Sequence, residues 1–161
     1  MRGSGKSEML RYLVMAEHHK FYKILVISPT NITSGFYNDF IPEENIFSEW
    51  SGEGVESSLK VLSDLNKNKK SHKDSPKNVL LILDDSCSNT RFRSSKIFER
   101  IFTTGRNCFL TSQYITHISP SARTNCEYIL VSNLNNNNVQ ILADEYTIGN
   151  CTRKEFKKYL Q

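Results

Sequence analysis

Apolar residues along this chain fall into short blocks of two kinds, separated by polar stretches. Met9, Leu10, Leu13 and Val14 recur at helical spacing and predict a helix from Ser7 to about His19. ILVISPT, Ile24 to Thr30, is a β-branched run stopped by Pro29, which predicts a buried strand ending in a loop. Residues 31–50 are mixed and aromatic-rich, with Pro42 as a breaker, and predict a packed excursion more than a linker. Val55, Leu59, Leu62 and Leu65 share one face of a predicted helix over 53–66. VLLILDDS, Val79 to Ser86, is a near-continuous apolar run closed by two acids, the pattern of a parallel strand buried on both faces.

The second half repeats the alternation. A helix is expected around Ser94 to Phe102, then strands at CFLTSQY, Cys108 to Tyr114, and EYILVSN, Glu127 to Asn133. NLNNNN, Asn133 to Asn138, reads as a turn, VQILADEY as a strand-like segment, and TRKEFKKYL as a closing helix. Strands alternating with helices define an α/β fold with a largely parallel sheet, and no internal repeat interrupts it. At 161 residues the chain fits one domain, residues 1–161, with a single sizeable core.

Composition narrows the classes. With 38% hydrophobic and 24% charged residues, wholesale disorder is not expected. The formal net charge of +4 is mild, so it permits nucleic-acid binding without announcing it. Its most basic segment is 66–78, NKNKKSHKDSPKN, which reads as an exposed loop. Cys87, Cys108, Cys126 and Cys151 stand far apart with no C-x-x-C pair, against a zinc site or a disulfide framework and for a reduced intracellular setting. No apolar run approaches the roughly 20 residues of a membrane span.

Two motifs carry chemistry. GSGKS, Gly3 to Ser7, matches the end of the phosphate-binding loop G-x-x-x-x-G-K-[ST], in which backbone N–H groups and a helix N-terminus wrap phosphates, Lys reaches the terminal phosphates and the hydroxyl ligates Mg²⁺. Asp84 and Asp85 close a buried strand, where such ATPases place one acid on Mg²⁺ and another on the attacking water. CFLTSQY ends in Gln113, the place of a polar γ-phosphate sensor in ATPases that insert an extra strand beside the acid-bearing one. Only two residues precede GSGKS, so the strand that normally leads into this loop is expected to be missing from the N-terminus.

The ordered set GSGKS, ILVISPT, LLILDDS, TTGRN, FLTSQYITHISPSARTN and EYILVSN resembles the DNA-packaging ATPases of large DNA viruses, the poxvirus-type branch of the FtsK/HerA superfamily. The likeness covers nearly the whole chain. It implies a P-loop NTPase, a three-layer α/β/α fold with a mainly parallel sheet of the additional-strand (ASCE) type, whose first strand lies mid-sheet between those ending in SQY and VSN. It implies ATP and Mg²⁺ as cofactors: Gly3, Ser4, Gly5, Lys6 and Ser7 on the phosphates, Ser7 and Asp84 on the metal, Asp85 as catalytic acid and Gln113 as sensor. Arg123, with Asn125, stands in the family's Arg-x-Asn position and Arg106 in its Gly-Arg-His position; either is a candidate to reach the γ-phosphate of a neighbouring subunit. Two departures touch Arg106: Asn107 replaces the His, and the approach GRNCFLTSQ to the Gln-bearing strand is shorter.

The resemblance further implies a homo-oligomeric ring that pumps double-stranded DNA into a capsid, with capsid or portal proteins as partners, no membrane, and a place in the host cytoplasm or virion. Lysines of the 66–78 loop are candidates for DNA phosphate contacts. A related DNA-pumping or helicase-like ATPase, and a catalytically silent interaction module, are the alternatives.

Overall fold

The computed structural model describes residues 5–49, 78–103, 107–131, 135–146 and 151–160. Four strands form one all-parallel sheet in the order β2-β1-β3-β4: β1 Lys23–Ile27, β2 Ile46–Phe47, β3 Val79–Asp84 and β4 Asn107–Thr111. Parallel strands need crossovers, and crossovers place helices on both faces, so the central strands are apolar on both sides. Their alternation sorts the core into two layers. Leu25, Ile27, Leu81 and Leu83 face one side, against Phe92, Phe98, Ile101 and Ala122. Val26, Leu80 and Ile82 face the other, against Leu10, Val14, Tyr37 and Ile41. Each fully buried Leu, Ile, Val or Phe among them contributes about 1.5–3 kcal/mol.

Helix α1, Lys6–Glu17, lays Leu10 and Val14 on the second face. Its C-terminus runs through a 3-10 turn, His18–Lys20, into the N-terminal end of β1. Twelve residues rise about 18 Å, close to the length of a five- or six-residue strand. α1 is thus about as long as the strands it packs on. The excursion after β1 holds a short helix α2, Asn31–Ser34, closed by Gly35 at φ +58°, and a cluster of Phe36, Tyr37 and Phe40. It is packed, as its aromatic content predicts, and it ends in the edge strand β2, which the sequence pattern did not reveal.

On the first face, α3, Thr90–Arg93, is capped by the Asn89 side chain, and α4, Lys96–Thr103, buries Phe98 and Ile101. α5, Pro120–Thr124, begins with Pro at its first position behind a Ser119 cap, an N-terminus that needs no N–H from Pro. Two helices close the chain, α6, Asn136–Glu145, and α7, Arg153–Leu160.

Three expectations for the C-terminal half need correction. Glu127–Val131 forms no strand: it pairs with nothing among the described residues and leaves Tyr128 81% and Leu130 63% exposed. Extended backbone becomes a strand only where a neighbour takes its hydrogen bonds, and β4 is the last strand of the described sheet. VQILADEY is helical, because Val139, Leu142 and Ala143 match a helix face and Asn135 accepts the Asn138 N–H at 2.8 Å. Asn135 to Asn138, read as part of a turn, are thus the cap and first turn of α6. The helix over 53–66 and the basic loop 66–78 lie outside the described residues, apart from Asn78.

Candidate active site

Asp84 closes β3, and the residues in register beside it are polar too. The apolar runs of three adjacent strands end in Ser28, Asp84 and Thr111, with Asp84 paired to Thr111 across the ladder. Parallel register brings these three ends together: Ser28 Oγ donates to Asp84 Oδ2 at 3.5 Å, and Thr111 Oγ1 donates to Asp84 Oδ1. Ser28 and Asp84 are buried, so the carboxylate sits in a pocket of hydroxyl donors that meet its hydrogen-bonding need.

Asp85 follows at φ +51°, a left-handed conformation that a non-glycine residue rarely holds. Its N–H donates to Thr111 Oγ1 at 3.2 Å, and Gln113 Nε2 donates to its Oδ2 at 3.3 Å. The turn thus lifts the second carboxylate off the sheet and presents it beside Gln113 rather than burying it with Asp84. Such strained positions gather at functional sites.

Helix α1 carries the second motif. Gly5 precedes the helix at φ +70°, with no side chain capping the first turn, and Lys6 and Ser7 are its first residues. The positive end of a helix dipole suits a phosphate. Gly3, Ser4 and Arg106 lie outside the described residues.

Arg123 is placed differently from the other site residues. It lies in α5, is 7% exposed, and donates from Nε to Glu145 Oε2 at 2.6 Å, from Nη2 to Glu145 Oε1, and from Nη1 to the carbonyls of Ile115 (3.1 Å) and Ile118. The Tyr146 hydroxyl donates to the Arg123 carbonyl at 2.5 Å. The bonds to Glu145 push the guanidinium pKa up. As folded, this arginine clips α5 and the turn before it to the end of α6, with four of its five N–H donors engaged within the chain. Asn125 Nδ2 donates to the Ser121 carbonyl at 2.8 Å, within its own helix end.

All four cysteines are free, and burial pushes the Cys87 thiol up to about 12 and raises Cys108 and Cys126 too. Cys87, Cys108 and Cys126 behave as small apolar residues. Among the described residues no group of three His, Cys, Asp or Glu could by itself hold a metal ion. The donors near Asp84 are hard oxygens, a set that fits Mg²⁺ carried in with phosphates and water rather than a metal caged by protein alone. No helix among the described residues is long and apolar enough to cross a membrane.

Comparison with known proteins adds a family. The profile described as "Poxvirus A32 protein" matches residues 1–161. Among curated proteins, "Uncharacterized protein 075L" of Invertebrate iridescent virus 6 is 29% identical over 98% of this chain and 62% of its own length. "Uncharacterized protein 015R" of Frog virus 3 (isolate Goorha) is 25% identical over 83% of this chain and 42% of its own. "Uncharacterized protein 088R" of Invertebrate iridescent virus 3 is 25% identical over 80% and 49%. The chain therefore spans less than two thirds of the curated relatives it matches. No solved structure matches it.

Proposed function

The chain belongs to the Poxvirus A32 protein family, and on that premise we propose that it is the ATPase part of a viral genome-packaging motor, hydrolysing ATP to drive double-stranded DNA into a capsid. The observation that carries the reading is the paired carboxylate at the end of β3, with Asp84 tied down by Ser28 and Thr111 and Asp85 turned out beside Gln113. One buried acid and one presented acid at the end of a parallel strand suit the holding of a metal ion and the orienting of a water in phosphoryl transfer.

In this reading the backbone of Gly3 to Gly5 and the first turn of α1 hold the ATP phosphates, and Lys6 offsets their charge. Ser7 and Asp84 would hold Mg²⁺, which when bound neutralises charge on the phosphates. Asp85 orients the attacking water and accepts its proton, while Gln113 links that carboxylate to the γ-phosphate. With Arg123 engaged internally, Arg106 is the arginine left to reach a neighbouring subunit in a ring, a contact worth roughly 10³–10⁵ in rate in related systems. DNA binding would draw on backbone phosphate contacts, with Lys67, Lys69, Lys70, Lys73 and Lys77 as the basic segment. Capsid or portal proteins are the further partners, in the host cytoplasm or the virion.

A second reading, a catalytically silent interaction module, is favoured by the exposed apolar run Tyr128–Val131. ATP turnover measured with and without linear double-stranded DNA separates the two. Hydrolysis that DNA stimulates and Lys6→Ala abolishes is expected from the motor; binding to DNA or a capsid protein with no nucleotide dependence and no turnover is expected from the module.

A further inference from the structure

A second basic segment follows the paired acids directly. From Ser86 to Lys96, SCSNTRFRSSK holds three cations, Arg91, Arg93 and Lys96, five hydroxyl residues and no acid. That mix suits a surface facing phosphates, where cations offset the charge and hydroxyls and amides meet the oxygens. The segment 66–78 joins the sheet elsewhere. Its last residue, Asn78, accepts the Tyr22 N–H at 2.8 Å at the N-terminal end of β3, whereas the Ser86–Lys96 segment leaves the C-terminal end, six residues or about 20 Å on.

Hydrogen bonds fasten this segment to Asp85. Ser88 Oγ donates to the Asp85 carbonyl at 3.0 Å, and the Asn89 N–H donates to the Ser86 carbonyl at 3.1 Å. The Asn89 side chain accepts from the N–H groups of Arg91 at 3.0 Å and Phe92 at 3.3 Å, and α3 packs on the turn Ser86–Ser88. Phe92 anchors α3 in the core, its ring 5.1 Å from that of Phe98. Successive helix residues stand about 100° apart, so burying Phe92 leaves its two neighbours on either side of it. Arg91 is exposed and Arg93 half-buried, and Lys96, the first residue of α4, is exposed. Among the described residues none of the three forms an ion pair. Asp85 and Glu99 flank the segment in sequence, and Glu49 shares a cleft with Ser88 and Asn89.

We propose that Arg91, Arg93 and Lys96 contact the phosphates of double-stranded DNA, and that α3 carries this contact to Asp85. The proposal rests on the reading of the chain as a DNA-translocating ATPase and names the surface that reports DNA to its site. Asp85 holds a left-handed conformation that its surroundings must maintain. The bond from Ser88 is one of those restraints, so a load on α3 reaches the carboxylate through it.

The test compares the full chain with the triple variant Arg91→Ala, Arg93→Ala, Lys96→Ala and with the charge-keeping double variant Arg91→Lys, Arg93→Lys. A fluorescein-labelled linear duplex is titrated by anisotropy across a salt series, and ATP turnover is measured with and without duplex. The triple variant is expected to lower the slope of log affinity against log salt by about 2–3 and to lose the stimulation of turnover by DNA. The lysine variant should keep the parent's slope. A slope in the triple variant equal to the parent's overturns the proposal, as does a lysine variant that loses as much as the alanine one, since charge is then not the cause. Stimulation that survives the loss of slope, or that the parent never shows, overturns the link to Asp85. A parent that binds no duplex or turns over no ATP overturns the motor reading itself.

Discussion

Arg123→Ala is expected to destabilise the fold. The guanidinium makes two hydrogen bonds to Glu145 and two to the carbonyls of Ile115 and Ile118. Breaking a fully buried pair costs about 3–5 kcal/mol, since one charge is left without a partner. The Arg123 side chain is 9% exposed but that of Glu145 is 25% exposed, so the abandoned carboxylate regains part of its hydration. The loss should therefore be about 2–4 kcal/mol, a fall of roughly 5–15 °C in Tm for a chain of this size. Thermal and urea unfolding followed by far-ultraviolet circular dichroism measure it. Arg123→Lys should recover less than half, because an ammonium cannot make the two-pronged contact with a carboxylate. If Arg123→Ala instead unfolds with the parent, while subunits carrying it poison ATP hydrolysis in mixed rings, the clip is wrong and Arg123 acts on a neighbouring subunit.

The same clip supplies a pH dependence. Burial pushes Tyr146 from 10.0 up to about 12, which favours the neutral phenol in the folded state. Its contribution is full below about pH 10 and is lost as pH rises towards about 12; Tyr146→Phe should flatten that alkaline decline in urea midpoints. On the first face of the sheet, Phe98→Ala should cost about 3–5 kcal/mol, because its ring is buried between Phe92 and Phe102, with centroids at 5.1 and 4.9 Å. A cost under 1 kcal/mol in chemical denaturation would show that this layer collapses around the gap.

How far the sequence revealed the structure depended on where backbone partners come from. β1 and β3 were legible because strands buried on both faces leave continuous apolar runs, ILVI and VLLIL, ended by polar residues. Glu127–Val131 has the same composition, yet strand formation depends on a neighbour that composition does not encode. α6 was misread because three asparagines at its start look like a turn, although Asn is among the best helix caps and here Asn135 serves as one.

The site divides in the same way. Asp84, Asp85 and Gln113 were marked by their positions at strand ends, and the structure brings them within hydrogen-bonding range of one set of side chains. Ser28 and Thr111 carried a readable signal, as the polar residues ending the neighbouring apolar runs, which was passed over. Arg123 shows the opposite limit: its position in a motif said nothing of Glu145, 22 residues on, to which the guanidinium is bonded.

The most direct test of the ATPase account measures nucleotide binding and phosphate release side by side in the parent and in Asp85→Asn. Asp85 is presented to the site rather than built into the core, so the substitution should leave both ATP affinity and the urea midpoint unchanged and lower phosphate release at least about 100-fold, the scale of a general base. Phosphate release equal to the parent's, at equal binding, would contradict the account.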